Sequence, residues 1–184
     1  MKKNTVRIAA LLLALAALLL ALSGCGKKQT EFDVAGKIVS LNQKYKFLDV
    51  SFQTSDAFEY TNTGHQELLY ELKDESGTGL YFFSIKYGLM NFGNRASLEE
   101  DMESETKASG ISELNQEEKK IGKKTWTVIS YKTYSEEFGK EIVCHIYYAE
   151  HTHISETGFY KLTFRNTEAA PDLEDAIVKS VTFN

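Results

Sequence analysis

Two segments decide the fold: Thr-Trp-Thr-Val-Ile-Ser-Tyr-Lys-Thr-Tyr at residues 125–134 and Glu-Ile-Val-Cys-His-Ile-Tyr-Tyr-Ala-Glu at residues 141–150. Both are rich in β-branched and aromatic residues that alternate with polar ones, which is typical of β-strands. A short connection around Gly139 joins them and predicts an antiparallel pair. Each segment is near the upper length of ordinary strands. We therefore expect the pair to form the centre of a sheet.

Weaker strand signals and two helix signals surround this pair. Ser97 and Glu100 have the spacing of a capping box and predict a helix over 97–107, and Pro171 begins an amphipathic helix over 171–179. The class expected is α+β, a single domain with a largely antiparallel β-sheet flanked by helices. The additional strands are predicted at 37–41, 47–53, 67–73, 80–87, 158–165 and 181–183.

The first 25 residues have the three parts of a secretory signal. Lys2, Lys3 and Arg7 precede an unbroken apolar run at 8–22, and small residues lead to Cys25. Crossing a bilayer as a helix takes about 20 apolar residues. The run is shorter than that, so it predicts an export signal in preference to a permanent membrane helix.

The tetrapeptide Leu22-Ser23-Gly24-Cys25 resembles the lipobox of bacterial lipoproteins. That resemblance implies lipidation of Cys25 and cleavage directly before it; a plain signal peptide or a short anchor is the alternative. The expected organisation is a signal peptide at 1–24, a lipidated tether at 25–36 and a domain at 37–184. The mature chain would then be attached to the cell membrane by lipid on Cys25, at its extracytoplasmic face.

The order of the predicted elements resembles a known fold family. A strand with Phe47, Val50 and Phe52 is followed by a hairpin, a capped helix, a strand-turn-strand at 120–126, two long strands and a closing helix that runs into Ser180-Val181-Thr182-Phe183. This order looks like the PsbP-like fold, named after an extrinsic protein of the photosystem II oxygen-evolving complex and shared with many bacterial lipoproteins. The resemblance spans about residues 45–184 and implies a binding or adaptor role. No functional residue is carried over from that family.

The charge and cysteine content exclude several function classes. Of the 21 basic residues, 18 lie from residue 25 onward together with all 26 acidic ones, so the mature part has a formal charge of −8. Such a balance disfavours a nucleic-acid partner, which needs clustered Lys and Arg. If Cys25 carries lipid, Cys144 has no intramolecular disulfide partner and is predicted to be a buried, inert core residue.

His151 and His153 are the weak candidates for a metal site, because alternate residues of an extended segment face the same way. The alternative is that both histidines lie in a solvated hairpin loop. The acidic run at 99–105 is predicted to be a solvated helix face, since it lacks the spacing of a calcium loop. No nucleophile elbow, phosphate loop or HExxH motif occurs, so the sequence suggests no catalytic residue and no cofactor.

The leading hypothesis is therefore a non-catalytic, lipid-anchored module, not an enzyme. It would bind another envelope protein or a small ligand through one face of its sheet, where Tyr131, Tyr134, Tyr147 or Tyr148 could be exposed. A metal-binding envelope protein that uses His151 and His153 is the alternative. A hydrolase without a recognisable motif comes third.

Overall fold

The computed structural model describes residues 30–64, 66–90, 95–153 and 156–184. Cys25 and His65 lie outside the described residues. The helices are α1 (Ala96–Thr106) and α2 (Pro171–Ser180), and a short 3₁₀ turn (Thr167–Ala169) precedes α2. The strands are β1 (Glu31–Val34), β2 (Lys37–Ser40), β3 (Gln43–Phe47), β4 (Val50–Thr54), β5 (Glu59–Asn62), β6 (Glu67–Lys73), β7 (Gly79–Leu89), β8 (Ile111–Ile121), β9 (Lys124–Ser135), β10 (Lys140–His153), β11 (Glu156–Arg165) and β12 (Thr182–Phe183).

The main element is a seven-stranded antiparallel sheet in the order β5-β6-β7-β11-β10-β9-β8. The predicted pairing of the two long segments is confirmed, because β9 and β10 pair with Ile146 opposite Ile129. The middle strand is β11, which lies between β7 and β10. The loop after Lys73 joins β6 to β7 as the sequence predicts, and the Asp74 side chain accepts hydrogen bonds from the backbone N–H groups of Ser76 and Thr78.

One face of this sheet, which we call the sandwich face, is covered by more β structure and by α2. The cover consists of a three-stranded sheet in the order β12-β4-β3, the hairpin β1–β2, and α2. Burial of this face removes a large apolar surface from water. Its core residues include Tyr70, Phe83, Tyr147 and Leu162 from the large sheet and Phe32, Phe52, Leu173 and Ile177 from the cover.

The opposite face, which we call the helix face, is covered by α1 and by Phe138 from the β9–β10 turn. Leu98 of α1 packs with Ile129 and Ile146. Phe138 packs with Cys144 in a separate cluster. The apolar contact is thinner here, because Leu98 is the only fully buried residue of α1.

The expected α+β, PsbP-like class is wrong. The described residues are mostly β, with 60% of them in strands and 16% in helices. The helices are located almost where the sequence predicts them, but they do not flank the sheet as its main cover. A second sheet and a hairpin provide most of the sandwich face, so a helix-flanked PsbP-like arrangement is not formed.

Three local predictions also need correction. Residues 47–53 do not form one strand, because Leu48 (φ 53) turns the chain between β3 and β4. Ser97 does not cap α1, since its hydroxyl donates to the carbonyl oxygen of Leu89 and the helix begins after Arg95. Strand β1 lies within residues 25–36, the range expected to be a tether, with Phe32 and Val34 buried.

Candidate functional site

His151 is held by an acidic partner from the turn between β3 and β4. Its Nε2 lies 3.2 Å from Oδ2 of Asp49, and the two side chains are only 12% and 16% exposed. The imidazole also lies against Phe183, with ring centroids 5.0 Å apart. The side chain of His153 is outside the described part. Within that part no group of three His, Cys, Asp or Glu could hold a metal ion, so the two-histidine metal site stays a prediction.

Cys144 is buried, as predicted. It is 1% exposed, and burial raises the pKa of its thiol to about 11. A thiol with that pKa is protonated at neutral pH and is a poor nucleophile. Cys144 is therefore a core residue and not a reactive one.

The acidic run of α1 has two different roles. Glu99, Glu100 and Glu103 are exposed, as expected of a solvated face. Asp101 and Glu105 instead turn toward the sheet, where Lys161 Nζ donates to Asp101 Oδ1 at 2.7 Å and to Glu105 Oε1 at 2.6 Å. The prediction of one solvated face is wrong for these two residues.

The cluster of Asp101, Glu105, Lys161 and Tyr148 is electrostatically satisfied. Tyr148 donates its hydroxyl hydrogen to Asp101 Oδ1 at 2.8 Å. Burial disfavours the charged form of Asp101, but hydrogen bonding and attraction to Lys161 outweigh burial and lower the pKa of Asp101. Burial likewise disfavours charged Lys161, but its bonds to Asp101 and Glu105 raise its pKa. The cluster attaches α1 to the sheet.

A second polar cluster joins α2 to the sandwich face. His145 Nδ1 lies 2.8 Å from Oε1 and 3.0 Å from Oε2 of Glu174, and the Tyr147 hydroxyl donates to the same carboxylate. Glu174 is 4% exposed. Burial, followed by the nearby Glu174, raises the pKa of Tyr147 and of Tyr81. The Tyr81 hydroxyl has no hydrogen-bond partner among the residues that the structure describes.

Sequence reasoning missed the pairing of His145 with Glu174. A signal was present, because Glu174 lies three and four residues before Ile177 and Val178, on the apolar side of α2. With Nδ1 at the carboxylate, Nε2 is the ring nitrogen left for another partner, and the His145 side chain is 30% exposed. The cluster can orient an imidazole at the surface, as carboxylates do for functional histidines.

Among the described residues, β8 is the longest edge strand of the large sheet. All but its two terminal residues, Ile111 and Ile121, are exposed. Its partner β9 occupies one side, and β8 is the last strand of the sheet, so its other side is open. Pairing with β9 is irregular between Ser112 and Asn115, where Glu113 has a φ of 52°, and regular from Asn115 to Ile121.

The surface has a cleft beside α1 and another beside α2. One, with a volume of about 380 Å³, lies between α1 and β8 and is lined by Glu99, Met102, Glu103, Thr106, Lys107 and Gln116. The other, of about 300 Å³, lies between β1, β4 and α2 and is lined by residues that include Thr30, Gln53, Asp172 and Ser180. Neither is enclosed, so each suits a chain segment better than a small molecule.

Comparison with known proteins leaves the family open. No family model matches the chain, and no curated protein matches it. A crystal structure from Bacteroides thetaiotaomicron VPI-5482 is similar, with a TM-score of 0.54 and 13% identity over 78% of this chain. The match covers 49% of that protein, so this chain spans about half of its length. The likeness extends to the fold alone.

The helices within the described ranges are too short or too polar to cross a bilayer.

Proposed function

We propose that this chain is a lipid-anchored, extracytoplasmic binding module that captures an extended segment of another envelope protein along β8. In this proposal the protein is an adaptor and performs no catalysis. The attachment is lipid on Cys25, at the outer face of the cell membrane. The binding surface is the open edge of β8 together with the cleft beside α1.

The anchor is supported by Leu22-Ser23-Gly24-Cys25 after the apolar run at 8–22. Two or three acyl chains on one cysteine hold a protein stably on a membrane, whereas one chain binds marginally. Among the described residues the first core residue is Phe32, seven positions after Cys25 in the sequence. The described core thus begins close in sequence to the cysteine that would carry the lipid.

The open edge of β8 carries the binding proposal. Exposed edges attract other strands, and proteins usually keep them short or blunt them with bulges and charges. Strand β8 has 11 residues, whereas β5 at the opposite edge has four. The bulge protects the first part of β8 only. The regular stretch from Asn115 to Ile121 is long enough for a partner strand, and its charged residues at 117–120 favour a partner strand of complementary charge.

The cleft beside α1 would give the edge its selectivity. Met102 of α1 and Gln116 of β8 line the same space. A strand added to β8 would point alternate side chains toward this cleft. Glu99, Glu103 and Lys107 surround it, so an apolar side chain flanked by polar ones fits best.

The test uses a photo-crosslinking side chain at Gln116 in intact cells. The matched control is the same side chain at Lys46, an exposed position on β3, which is the edge of the smaller sheet. We expect a discrete crosslinked partner from position 116 and none from position 46. Equal products from both positions would contradict a specific site.

Proline variants test whether the partner pairs with the backbone of β8 or merely lies close to it. Successive N–H groups of a strand point to opposite sides, so one of Glu117→Pro and Glu118→Pro removes a bond to β9 and the other removes only an open donor. The variant that keeps the wild-type urea midpoint should lose the crosslink at Gln116. If that stable variant retains the crosslink, β8 does not bind through its backbone.

The metal alternative has its own test. Zn²⁺ bound to the native state would raise the melting temperature of the wild-type protein. The rise should disappear in His151→Ala/His153→Ala and persist in His145→Ala. His151 already has Asp49 at Nε2, which leaves Nδ1 as the nitrogen available to a metal.

A further inference from the structure

The hairpin that joins β8 to β9 is strongly basic in an acidic domain. Lys119, Lys120, Lys123 and Lys124 lie within six residues of one another around Gly122. Gly122 has a φ of 62°, which glycine adopts without strain and which makes the tight turn. Four of the 18 basic residues from residue 25 onward are thus at one exposed tip. We call these four lysines the basic tip.

Two of the four ammonium groups have no partner among the described residues. Lys119 lies 2.8 Å from Glu117, and Lys124 donates to the carbonyl oxygen of Glu150. Lys120 and Lys123 are exposed, and in the described part of the chain they form no ion pair or side-chain hydrogen bond. Glu117 and Glu118 neutralise part of the charge, so residues 117–124 carry a formal charge of +2. The tip is thus able to bind an anionic surface.

A series of contacts connects the basic tip with Thr30, the first described residue. Lys124 Nζ is 4.6 Å from the centre of the Phe183 ring. Phe183 is three residues beyond Ser180, about 10 Å along an extended chain. Ser180 and Thr30 line the same cleft. Cys25 is five residues before Thr30 and can reach about 17 Å from it.

We infer that the basic tip binds anionic phospholipid headgroups and forms a second contact between the domain and the bilayer that holds Cys25. This inference rests on the proposed lipid anchor. The chain from Cys25 to Thr30 spans at most about 17 Å, which keeps the domain close to the membrane surface, and each lysine near an anionic leaflet strengthens association about fivefold. Lys120 and Lys123 together should change the ratio of docked to undocked domains about 30-fold.

Such a contact would orient the binding edge. Strand β8 ends at the basic tip, so docking the tip places the C-terminal end of β8 at the bilayer. The strand has 11 residues, and at about 3.4 Å per residue it would extend about 37 Å from the surface. The open edge from Asn115 to Ile121 would then face proteins close to the membrane.

The chain contains an intrinsic fluorophore close to the basic tip. Trp126 is its single tryptophan, and its ring lies 5.8 Å from that of Phe183. The lipidated protein is reconstituted into vesicles that contain a dansyl-labelled lipid, and energy transfer from Trp126 is measured. We expect more transfer with phosphatidylglycerol mixed into phosphatidylcholine than with phosphatidylcholine alone, and loss of the difference at high salt.

The variants decide whether the tip is responsible. Lys120→Glu/Lys123→Glu should abolish the extra transfer, and Lys120→Gln/Lys123→Gln should reduce it. Lys44→Glu/Lys46→Glu on β3 changes the net charge equally and should preserve it. If the protein fails to float with vesicles, the lipid anchor is wrong. If it floats but transfer is independent of lipid charge, or the β3 variant behaves like the tip variant, the basic tip does not bind headgroups.

Discussion

On the sandwich face, Phe83 stacks on Tyr70 with ring centroids 4.4 Å apart, whereas on the helix face Lys161 lies between Asp101 and Glu105. The first face is held by apolar burial and aromatic contact, which need no particular partner atoms. The second depends on charges that stabilise only while each has its counterpart. The two faces of one sheet should therefore respond differently to truncation, to pH and to charge-conserving substitutions.

The largest loss is expected from Phe83→Ala on the sandwich face. Phe83 is 1% exposed and its ring contacts those of Tyr70, Phe52, Phe58 and Phe164. Truncation of such a residue removes transfer free energy and leaves a cavity, which costs about 3–5 kcal/mol. Urea unfolding measures this loss. Phe83→Leu should recover about half of it, and a loss below about 1 kcal/mol would show that this face is loosely packed.

The sequence predicts only part of the packing on the sandwich face. Runs of β-branched and aromatic residues predict β6, β7 and β9 to β11. Strand β8 has no apolar face to detect, since it is an exposed edge rich in Glu and Lys. The second sheet depends on the pairing of β12 with β4, with Phe183 opposite Val50, and a contact over such a separation leaves no local pattern.

The site residues were hidden for a related reason. His151 was visible as a histidine, but its partner Asp49 is 102 positions away. Asp101 and Glu105 look like members of a solvated run until β11 brings Lys161 beneath α1. Sequence identifies the groups that carry charge, whereas the topology determines which of them meet.

On the helix face, Lys161→Ala should cost about 3 kcal/mol, because it leaves Asp101 and Glu105 facing each other without a cation. Lys161→Met/Asp101→Asn/Glu105→Gln removes all three charges together and should recover much of the loss. Urea midpoints of the two variants provide the comparison. Equal losses would mean that the loss in Lys161→Ala does not come from unpaired carboxylates, and that the ion pairs themselves stabilise the helix face.

Acid should weaken the helix face before the sandwich face. The folded-state pKa of Asp101 is lowered, so its contribution is present above the unfolded value of about 3.9 and is lost as pH falls through the folded value. Below pH 4 the wild-type protein should lose stability more steeply than Asp101→Asn, by up to about 1.4 kcal/mol per pH unit. Parallel plots of unfolding free energy against pH for the two proteins would mean that Asp101 does not contribute to the loss of stability in acid.

A smaller effect is expected from the polar cluster on the sandwich face. Glu174→Gln keeps an oxygen to accept the Tyr147 hydroxyl but loses the charged bond to His145. We expect Glu174→Gln to lower the free energy of unfolding by about 1 kcal/mol. Adding His145→Ala should cost less than that again, because both substitutions remove the same interaction. A double-mutant cycle measures the coupling. Strict additivity would show that the two side chains do not stabilise each other.

The smallest effect is expected one residue further along α2. Asp175 pairs with Lys179 one turn away at 2.7 Å, the same separation as a good buried pair, yet these side chains are 62% and 66% exposed. Water and salt screen such a pair, and ordering two mobile side chains opposes it. Asp175→Asn should therefore leave the urea midpoint unchanged within error, at low and at high salt. A clear shift would mean that distance alone, without burial, sets the strength of ion pairs on this helix.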